Sequence, residues 1–240
     1  MLKAITFDFW NTLYKAAAYA HPIRRRFLSE LFTKHHIDVT LEQVDAAEEV
    51  ARQAWNRAWR EEYRTPNAAE WVRVMLDELL VQLPPADFDA LATCYDRSLL
   101  DAKPGPTLLD GAKDTIERLA QRYKLGVISD SGLSCGKTLR EFLIRDGVID
   151  CFAQLSFSDE VGVSKPHAHI FHHTLERLGA QPNETVHIGD LTRSDIAGAK
   201  AVGMWAVRLA ANYDDADRSV LPDGVVYSYP DFEHWLTTID

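Results

Sequence analysis

Four short segments hold residues whose types and spacing could do chemistry: Asp8-Phe9-Trp10-Asn11-Thr12, Ser129-Asp130, Ser164-Lys165-Pro166, and Gly189-Asp190 followed by Asp195. Each is weak alone, because an Asp after a strand often caps a helix or makes a turn, and a lone Lys is usually a solvated charge. Asp195 in particular could be only the N-cap of a helix over 195–202. Brought together, Asp8, Asp190 and Asp195 form a carboxylate cluster that repels itself unless a hard cation neutralises it. A small set of oxygen ligands with open positions suits Mg²⁺, which keeps several waters and often binds phosphate. Ser129, Lys165 and backbone N–H groups at helix starts supply donors and positive charge for an anion. A metal, an anion cradle and one free carboxylate oxygen together support nucleophilic attack on phosphorus through an aspartyl-phosphate.

That chemistry requires the four segments to meet, and the hydropathy pattern supplies the means. Apolar runs at 2–7, 125–128, 152–157, 185–188 and 204–209 predict buried parallel strands. They alternate with helical patterns over 107–122, 137–145, 167–178 and 195–202. Such alternation predicts an α/β fold, a parallel sheet with helices on both faces. Sites in such sheets lie beyond the carboxyl ends of the strands, where all four segments fall. Residues 15–103 differ: they are rich in Ala, Arg, Glu and Trp with helical spacing, broken at Thr65-Pro66 and Pro84-Pro85, and predict four helices. The breaker cluster Lys103-Pro104-Gly105-Pro106 closes that segment. The expected organisation is a core of 1–14 and 104–240 with a helical domain at 15–103.

The order and register of the four segments resemble those of the haloacid dehalogenase-like superfamily of hydrolases, over residues 3–14 and 104–210. The resemblance implies a Rossmann-like, doubly wound parallel sheet with an inserted helical cap, and Asp8 as nucleophile. It implies Mg²⁺ held by Asp8, the Trp10 carbonyl and Asp190, with Asp195 supporting it directly or through water. Ser129 and Lys165 are then the groups that bind the transferring phosphoryl group, Lys165 also balancing the charge of Asp8. Asn11 takes the position whose backbone N–H faces the phosphate, and Thr12 the position that braces the loop. Asp130, where many relatives have Asn, either contacts substrate or cap or serves as a turn residue. Substrate is expected to enter between core and cap, whose closure excludes water.

One position departs from the pattern. Phosphatases of this superfamily usually carry a second Asp two residues after the nucleophile, which protonates the leaving group and later activates water. Here that residue is Trp10, and acid–base assistance is worth roughly 10²–10⁴-fold. Three readings follow. The first is a Mg²⁺-dependent phosphohydrolase acting on small phosphorylated metabolites with good leaving groups, such as acyl phosphates. The second is a 2-haloacid dehalogenase-like hydrolase, since those relatives carry Tyr at this position and expel halide. The third is a catalytically silent binding protein in which Trp10 plugs the cleft. Gly189-Asp190 with Asp195 looks like the metal-binding phosphatase form, whereas the dehalogenases use Ser and Asn there without metal. That favours the first reading.

The remaining features are weighed against simpler roles. With 26 basic and 36 acidic residues, the net charge of −10 argues against nucleic-acid partners. No apolar run approaches the roughly 18–20 residues of a membrane helix, and MLKAITFDFW does not read as a signal peptide. Cys94, Cys135 and Cys151 lack a CxxC pattern and read as reduced thiols of a cytoplasmic protein. A phosphorylated small molecule is the expected partner, and the sequence does not give the oligomeric state. Arg24-Arg25-Arg26 reads as a solvated helix face from which one Arg could turn inward to an anion. Trp55, Trp59 and Trp71 read as cap core rather than a substrate platform. His167, His169, His172 and His173 have metal-like spacing, but on a surface helix away from the strand ends.

Overall fold

The run Ala-Ile-Thr-Phe is buried at every position and forms β1 (Ala4–Phe7) in the interior of a sheet. The structure, a computed structural model, describes residues 1–15 and 20–239. Among these, β2 (Lys124–Ser129), β3 (Phe152–Phe157), β4 (Thr185–Gly189), β5 (Trp205–Leu209) and β6 (Gly224–Val226) complete a six-stranded sheet ordered β3-β2-β1-β4-β5-β6. Every pairing is parallel and helices flank the sheet, so the fold is the α/β, Rossmann-like class that the alternation predicts. Strand order reverses between β1 and β4, the switch point where such sheets open a crevice past their carboxyl ends. Phe7 is in register with Val127 on one side and Ile188 on the other. Asp8, Ser129 and Gly189-Asp190 therefore leave the sheet at nearly one level.

Between β1 and β2 the chain forms α1 (His21–Lys34), α2 (Leu41–Glu61), α3 (Ala68–Glu78), α4 (Pro85–Asp101) and α5 (Ala112–Leu119). After β2 come α6 (Gly136–Arg145), α7 (Ser158–Val161), α8 (Ala168–Leu178), α9 (Ala197–Ala201) and α10 (Tyr229–Leu236). The chain divides into two compact units: Met1–Ala16, Thr107–Asp130 and Phe142–Asp240 in one, Ala17–Pro106 and Ser131–Glu141 in the other.

In the helical unit, α2 and α3 open with capping boxes, Thr40 with Gln43 and Asn67 with Glu70, in which side chains and backbone N–H groups satisfy each other. Prolines in the first turn open α1 and α4. The apolar stripes of the four helices meet around Leu31, Phe32, Val44, Val72, Met75, Leu91 and Tyr95. Asp96 of α4 binds the segment 131–141 into this unit. Its carboxylate accepts the Cys135 N–H (2.7 Å) and the Thr138 hydroxyl (3.0 Å), and its carbonyl accepts the Ser134 hydroxyl (2.8 Å).

In the sheet unit, two expected helices change form. The one expected over 107–122 is only α5, because Gly111 has φ +80°, a left-handed conformation that interrupts helical geometry. Residues 107–109 instead run beside 13–15, with Leu109 N–H donating to Leu13 O (2.8 Å) and Lys15 N–H to Thr107 O (3.0 Å). The helix expected from Asp195 divides into a π-helical turn, Thr192–Ile196, and α9. Asp195 thus lies inside a turn and is no N-cap. β6 and α10 have no counterpart among the sequence expectations. A Cβ at Gly198 would lie 2.4 Å from the Phe171 ring, so the glycine is what lets α9 pack against α8.

Candidate active site

The sheet delivers Asp8 directly. Its N–H donates to Ile188 O (2.9 Å), carrying the β1–β4 ladder one residue past the strand, and its side chain is buried. The chain then folds into a tight loop: Leu13 and Tyr14 N–H both donate to Phe9 O (2.9 and 2.8 Å), and Asn11 N–H donates to Tyr14 O (2.7 Å). Asn11 has φ +56°, a left-handed conformation that Asn tolerates better than most residues. These bonds correct one expectation. The Asn11 N–H, which the resemblance assigns to a phosphate, is engaged within the loop by Tyr14 O. Instead the Asn11 side chain donates to Asp190 Oδ2 (3.2 Å) and accepts from Asn212 Nδ2 (2.8 Å). Thr12 braces the loop through its carbonyl, which accepts the Tyr229 hydroxyl (2.8 Å). The loop's own bonds leave the Trp10 carbonyl unused. The Trp10 indole stands edge-on to Phe9 (4.9 Å) and Phe142 (6.4 Å), with Tyr14 stacked on Phe9. Trp10 contributes ring packing to this loop.

Lys165 is buried and bridges two carboxylates, its Nζ lying 2.5 Å from Asp8 Oδ1 and 2.6 Å from Asp195 Oδ1. Asp130 holds the Lys165 backbone, accepting its N–H at Oδ1 (2.9 Å). Of the two roles expected for Asp130, the loop-holding one has a bond behind it. Ser129 ends β2 fully buried, beside the cluster in register and without a hydrogen bond to it. Asp195 is bonded at both oxygens. Oδ1 receives Lys165 and His187 Nε2 (3.3 Å), and Oδ2 receives the Leu191 N–H (2.9 Å) and the Ser194 hydroxyl (3.4 Å). A carboxylate has about four lone-pair sites, so direct metal ligation by Asp195, one of the two modes expected, requires displacing a donor. Gly189 makes this packing possible, since a Cβ there would lie 2.3 Å from Asp195 Cγ. Gly189→Ala is accordingly expected to displace Asp195 and lower turnover at least roughly tenfold, as disturbing groups behind a site commonly does. Wild-type kinetics in that variant would show that Asp195 has room to spare.

Charge explains what the cluster lacks. Burial pushes the Asp8 carboxyl up to about 7, against the pull of Lys165 and with repulsion from Asp195. Burial and the repulsion of Asp8 and Asp195 push Asp190 up to about 8. Asp195 is held well below the usual range, because the Lys165 charge and the His187 and Lys165 hydrogen bonds outweigh burial. Lys165 is held above an ordinary lysine, Asp195 and Asp8 together outweighing burial. One ammonium therefore serves three acids whose ligand oxygens lie within 4.8 Å of one another. A hard dication fits this donor set: Asp8 and Asp190 each have an oxygen that makes no side-chain hydrogen bond, and the Trp10 carbonyl adds a neutral ligand. The loops that carry Asp8 and Lys165 also hold buried hydroxyls without a hydrogen-bond partner, on Thr12 and Ser164.

Sequence reasoning missed three residues. His187, Thr6 and Asn212 all touch the cluster or its neighbours through side-chain bonds. The other candidates have separate work. Arg24 turns inward to Ser98 Oγ (2.8 Å) and Tyr95 O (3.0 Å), Arg25 pairs with Asp45, and Arg26 with Glu30. Trp55 donates to Pro66 O and leans on Trp59, while Trp71 packs on the helical core. His167 caps α8, accepting the His169 N–H, and His173 pairs with Arg177 on the same helix.

Comparison with known proteins bears on this geometry. A family model described as haloacid dehalogenase-like hydrolase matches residues 2–203. The chain is 31% identical over 236 residues to glyceraldehyde 3-phosphate phosphatase of Methanopyrus kandleri, covering 97% of this chain and 93% of that one. It is 33% identical over 131 residues to pyrimidine 5'-nucleotidase YjjG of Escherichia coli, covering 54% and 57%. Among solved structures, 2-haloacid dehalogenase from Pseudomonas syringae pv. Tomato DC3000 matches with a TM-score of 0.78 over 100% of both chains at 24% identity, a likeness of fold.

Proposed function

The chain belongs to the haloacid dehalogenase-like hydrolases, and from that premise we propose that Asp8 is the nucleophile of a Mg²⁺-dependent phosphohydrolase. The enzyme is a hydrolase of the phosphatase type acting on small phosphorylated metabolites, in line with its relatives named as phosphatase and nucleotidase. The observation that carries the reading is the buried Asp8–Asp190 pair at the switch point, two carboxylates raised in pKa with one lysine between three acids. Halide displacement needs no such second carboxylate.

Lys165 holds Asp8 Oδ1, so Oδ2 attacks phosphorus; the P–O bond to the leaving group breaks and an aspartyl-phosphate forms. Water then attacks that phosphorus, the P–O bond to Asp8 breaks and the carboxylate is regenerated, the water's proton leaving with the phosphate product. Asn11, fixed between Asn212 and Asp190, keeps Asp190 turned so that Oδ1 remains open. Mg²⁺, when bound by Asp8, Asp190 and the Trp10 carbonyl, supplies charge neutralisation for these acids and for the phosphoryl oxygens. Trp10 donates no proton to the leaving group, which restricts good turnover to substrates with weakly basic leaving groups. The free cysteines, and the absence among described residues of any helix long and apolar enough to cross a membrane, support a cytoplasmic setting.

The test is a substrate panel scored for phosphate and halide in parallel, with Mg²⁺ and with EDTA. Phosphate release that requires Mg²⁺ is expected; halide release that survives EDTA would overturn the proposal. A binding experiment adds a sign. A carboxyl whose folded pKa is raised costs stability as pH climbs from its unfolded value, near 4, through its folded one. The metal-free protein is thus expected to lose stability between about pH 4 and 8 through Asp8 and Asp190. Mg²⁺ at roughly 100 times its Kd adds about 2.7 kcal/mol, or roughly 5–10 °C in Tm. At one fixed Mg²⁺ concentration the gain should be larger at pH 8 than at pH 5.5, because protons compete for these carboxylates at the lower pH. An equal gain at both would remove these carboxylates from the metal site.

A further inference from the structure

One buried titratable side chain has no part in the chemistry above. The His187 ring is fully buried in β4, directly across from Thr6 of β1 in the sheet register. Its Nδ1 lies 2.9 Å from Thr6 Oγ1 and its Nε2 3.3 Å from Asp195 Oδ1. A neutral imidazole has one donor and one acceptor nitrogen. A carboxylate oxygen faces Nε2, so Nε2 is the donor. Nδ1 then accepts the Thr6 hydroxyl, which is closer to it than to its other acceptor, Val186 O at 3.4 Å. The bonds run in one direction, from Thr6 through His187 to Asp195. At Asp195 Oδ1 they meet Lys165 Nζ, which reaches on to Asp8.

We propose that His187, donating from Nε2 to Asp195 and braced at Nδ1 by Thr6, is a positioning residue that fixes the Asp195 carboxylate and through it the place of Lys165 Nζ against Asp8. Lys165 lies almost equidistant between the two carboxylates, so small movements of Asp195 Oδ1 decide how the ammonium is shared. The His187 bond holds that oxygen from behind while Leu191 N–H holds the other. Partners of this kind, fixing the groups that touch metal or substrate, are worth roughly 10–100-fold in affinity or rate. The kinetic consequence rests on the phosphohydrolase reading; the tautomer and the order of bonds do not.

Long-range ¹H–¹⁵N spectra of the wild-type ring are the first test. The Nε2–H tautomer is expected, and an Nδ1–H ring overturns the proposal. The second uses three substitutions that differ in where they place a donor. His187→Gln puts an amide nitrogen near the position of Nε2, His187→Asn only near Nδ1, and His187→Leu removes both. Asn and Leu are expected to weaken Mg²⁺ binding measured by calorimetry, or to lower kcat on p-nitrophenyl phosphate, by roughly 10–100-fold with KM little changed. Gln is expected to stay within a few-fold of wild type. Leu performing as well as Gln would mean that the ring only fills space. Because a buried strand position is sensitive to substitution, Thr6→Val provides a variant of the same shape. It is expected to keep the Nε2–H tautomer that Asp195 selects while loosening the ring's orientation and lowering kcat, and an unchanged rate would sink the proposal. If wild-type protein hydrolyses no phosphate ester, the functional reading fails. The ring tautomer and the Gln-over-Asn order in Mg²⁺ affinity still decide the role of His187.

Discussion

Asp8→Asn is expected to abolish turnover, by roughly 10⁴-fold or more as for other lost nucleophiles, while making the metal-free protein more stable at pH 8. The first effect follows because an amide oxygen at the same place carries no charge with which to attack phosphorus. The second follows from the raised pKa: above about 7 the buried Asp8 must ionise at a cost that the unfolded chain does not bear. Asn removes that cost, and Lys165 keeps Asp195 as its counter-ion. The gain is on the order of 1–4 kcal/mol, visible as a higher Tm in EDTA at pH 8 and a smaller difference at pH 5. Measuring kcat and Tm on one preparation checks both. A variant that loses activity and stability together would mean that Asp8 is chiefly structural.

Trp10→Asp carries the second large effect, and its sign depends on substrate. Wild-type rates are expected to fall steeply as the leaving group becomes more basic: nitrophenyl and acyl phosphates turn over, sugar and nucleoside monophosphates barely. An acid at this position should raise rates on the poor leaving groups by up to roughly 10²–10⁴-fold and leave the good ones nearly unchanged. The gain will fall short of that ceiling, because the indole's contacts with Phe9 and Phe142 vanish and the loop loses part of its support. A leaving-group plot for both proteins makes the comparison. A flat wild-type plot would show that another group delivers the proton, and the case for a missing acid would fail.

The sequence reveals most of what positions this site. Buried parallel strands write continuous apolar runs, so the strands that carry Asp8, Ser129 and Asp190 are plain, and polar residues at their carboxyl ends stand out. The helices α1 to α4 are equally plain, because capping signals and prolines punctuate them. Other features leave no such trace. β6 is three residues long, too short for any periodicity. The π-helical turn bends Asp195 back over Gly189, and nothing in a 3.6-residue pattern announces it. His187 reads as one more residue of a strand until register sets it opposite Thr6, 181 positions away. The Asn11 N–H is lost to Tyr14 by a left-handed residue, for which the Asn side chain type was the available signal.

The division of the chain has a consequence for modular exchange. A domain inserted at one point is entered once and left once. Here the polypeptide passes between its two units after residues 16, 106, 130 and 141, four passages rather than two. The second visit is held by Asp96, whose carboxylate seats the start of α6 only residues after Ser129 and Asp130. Cutting out 17–106 as a cassette would strip Cys135 and Thr138 of their acceptor, and grafting a foreign helical domain there would leave 131–141 matched to a partner no longer present. Recombination among relatives must therefore carry both pieces together, and the stretch that follows β2 is inherited with the helices rather than with the sheet.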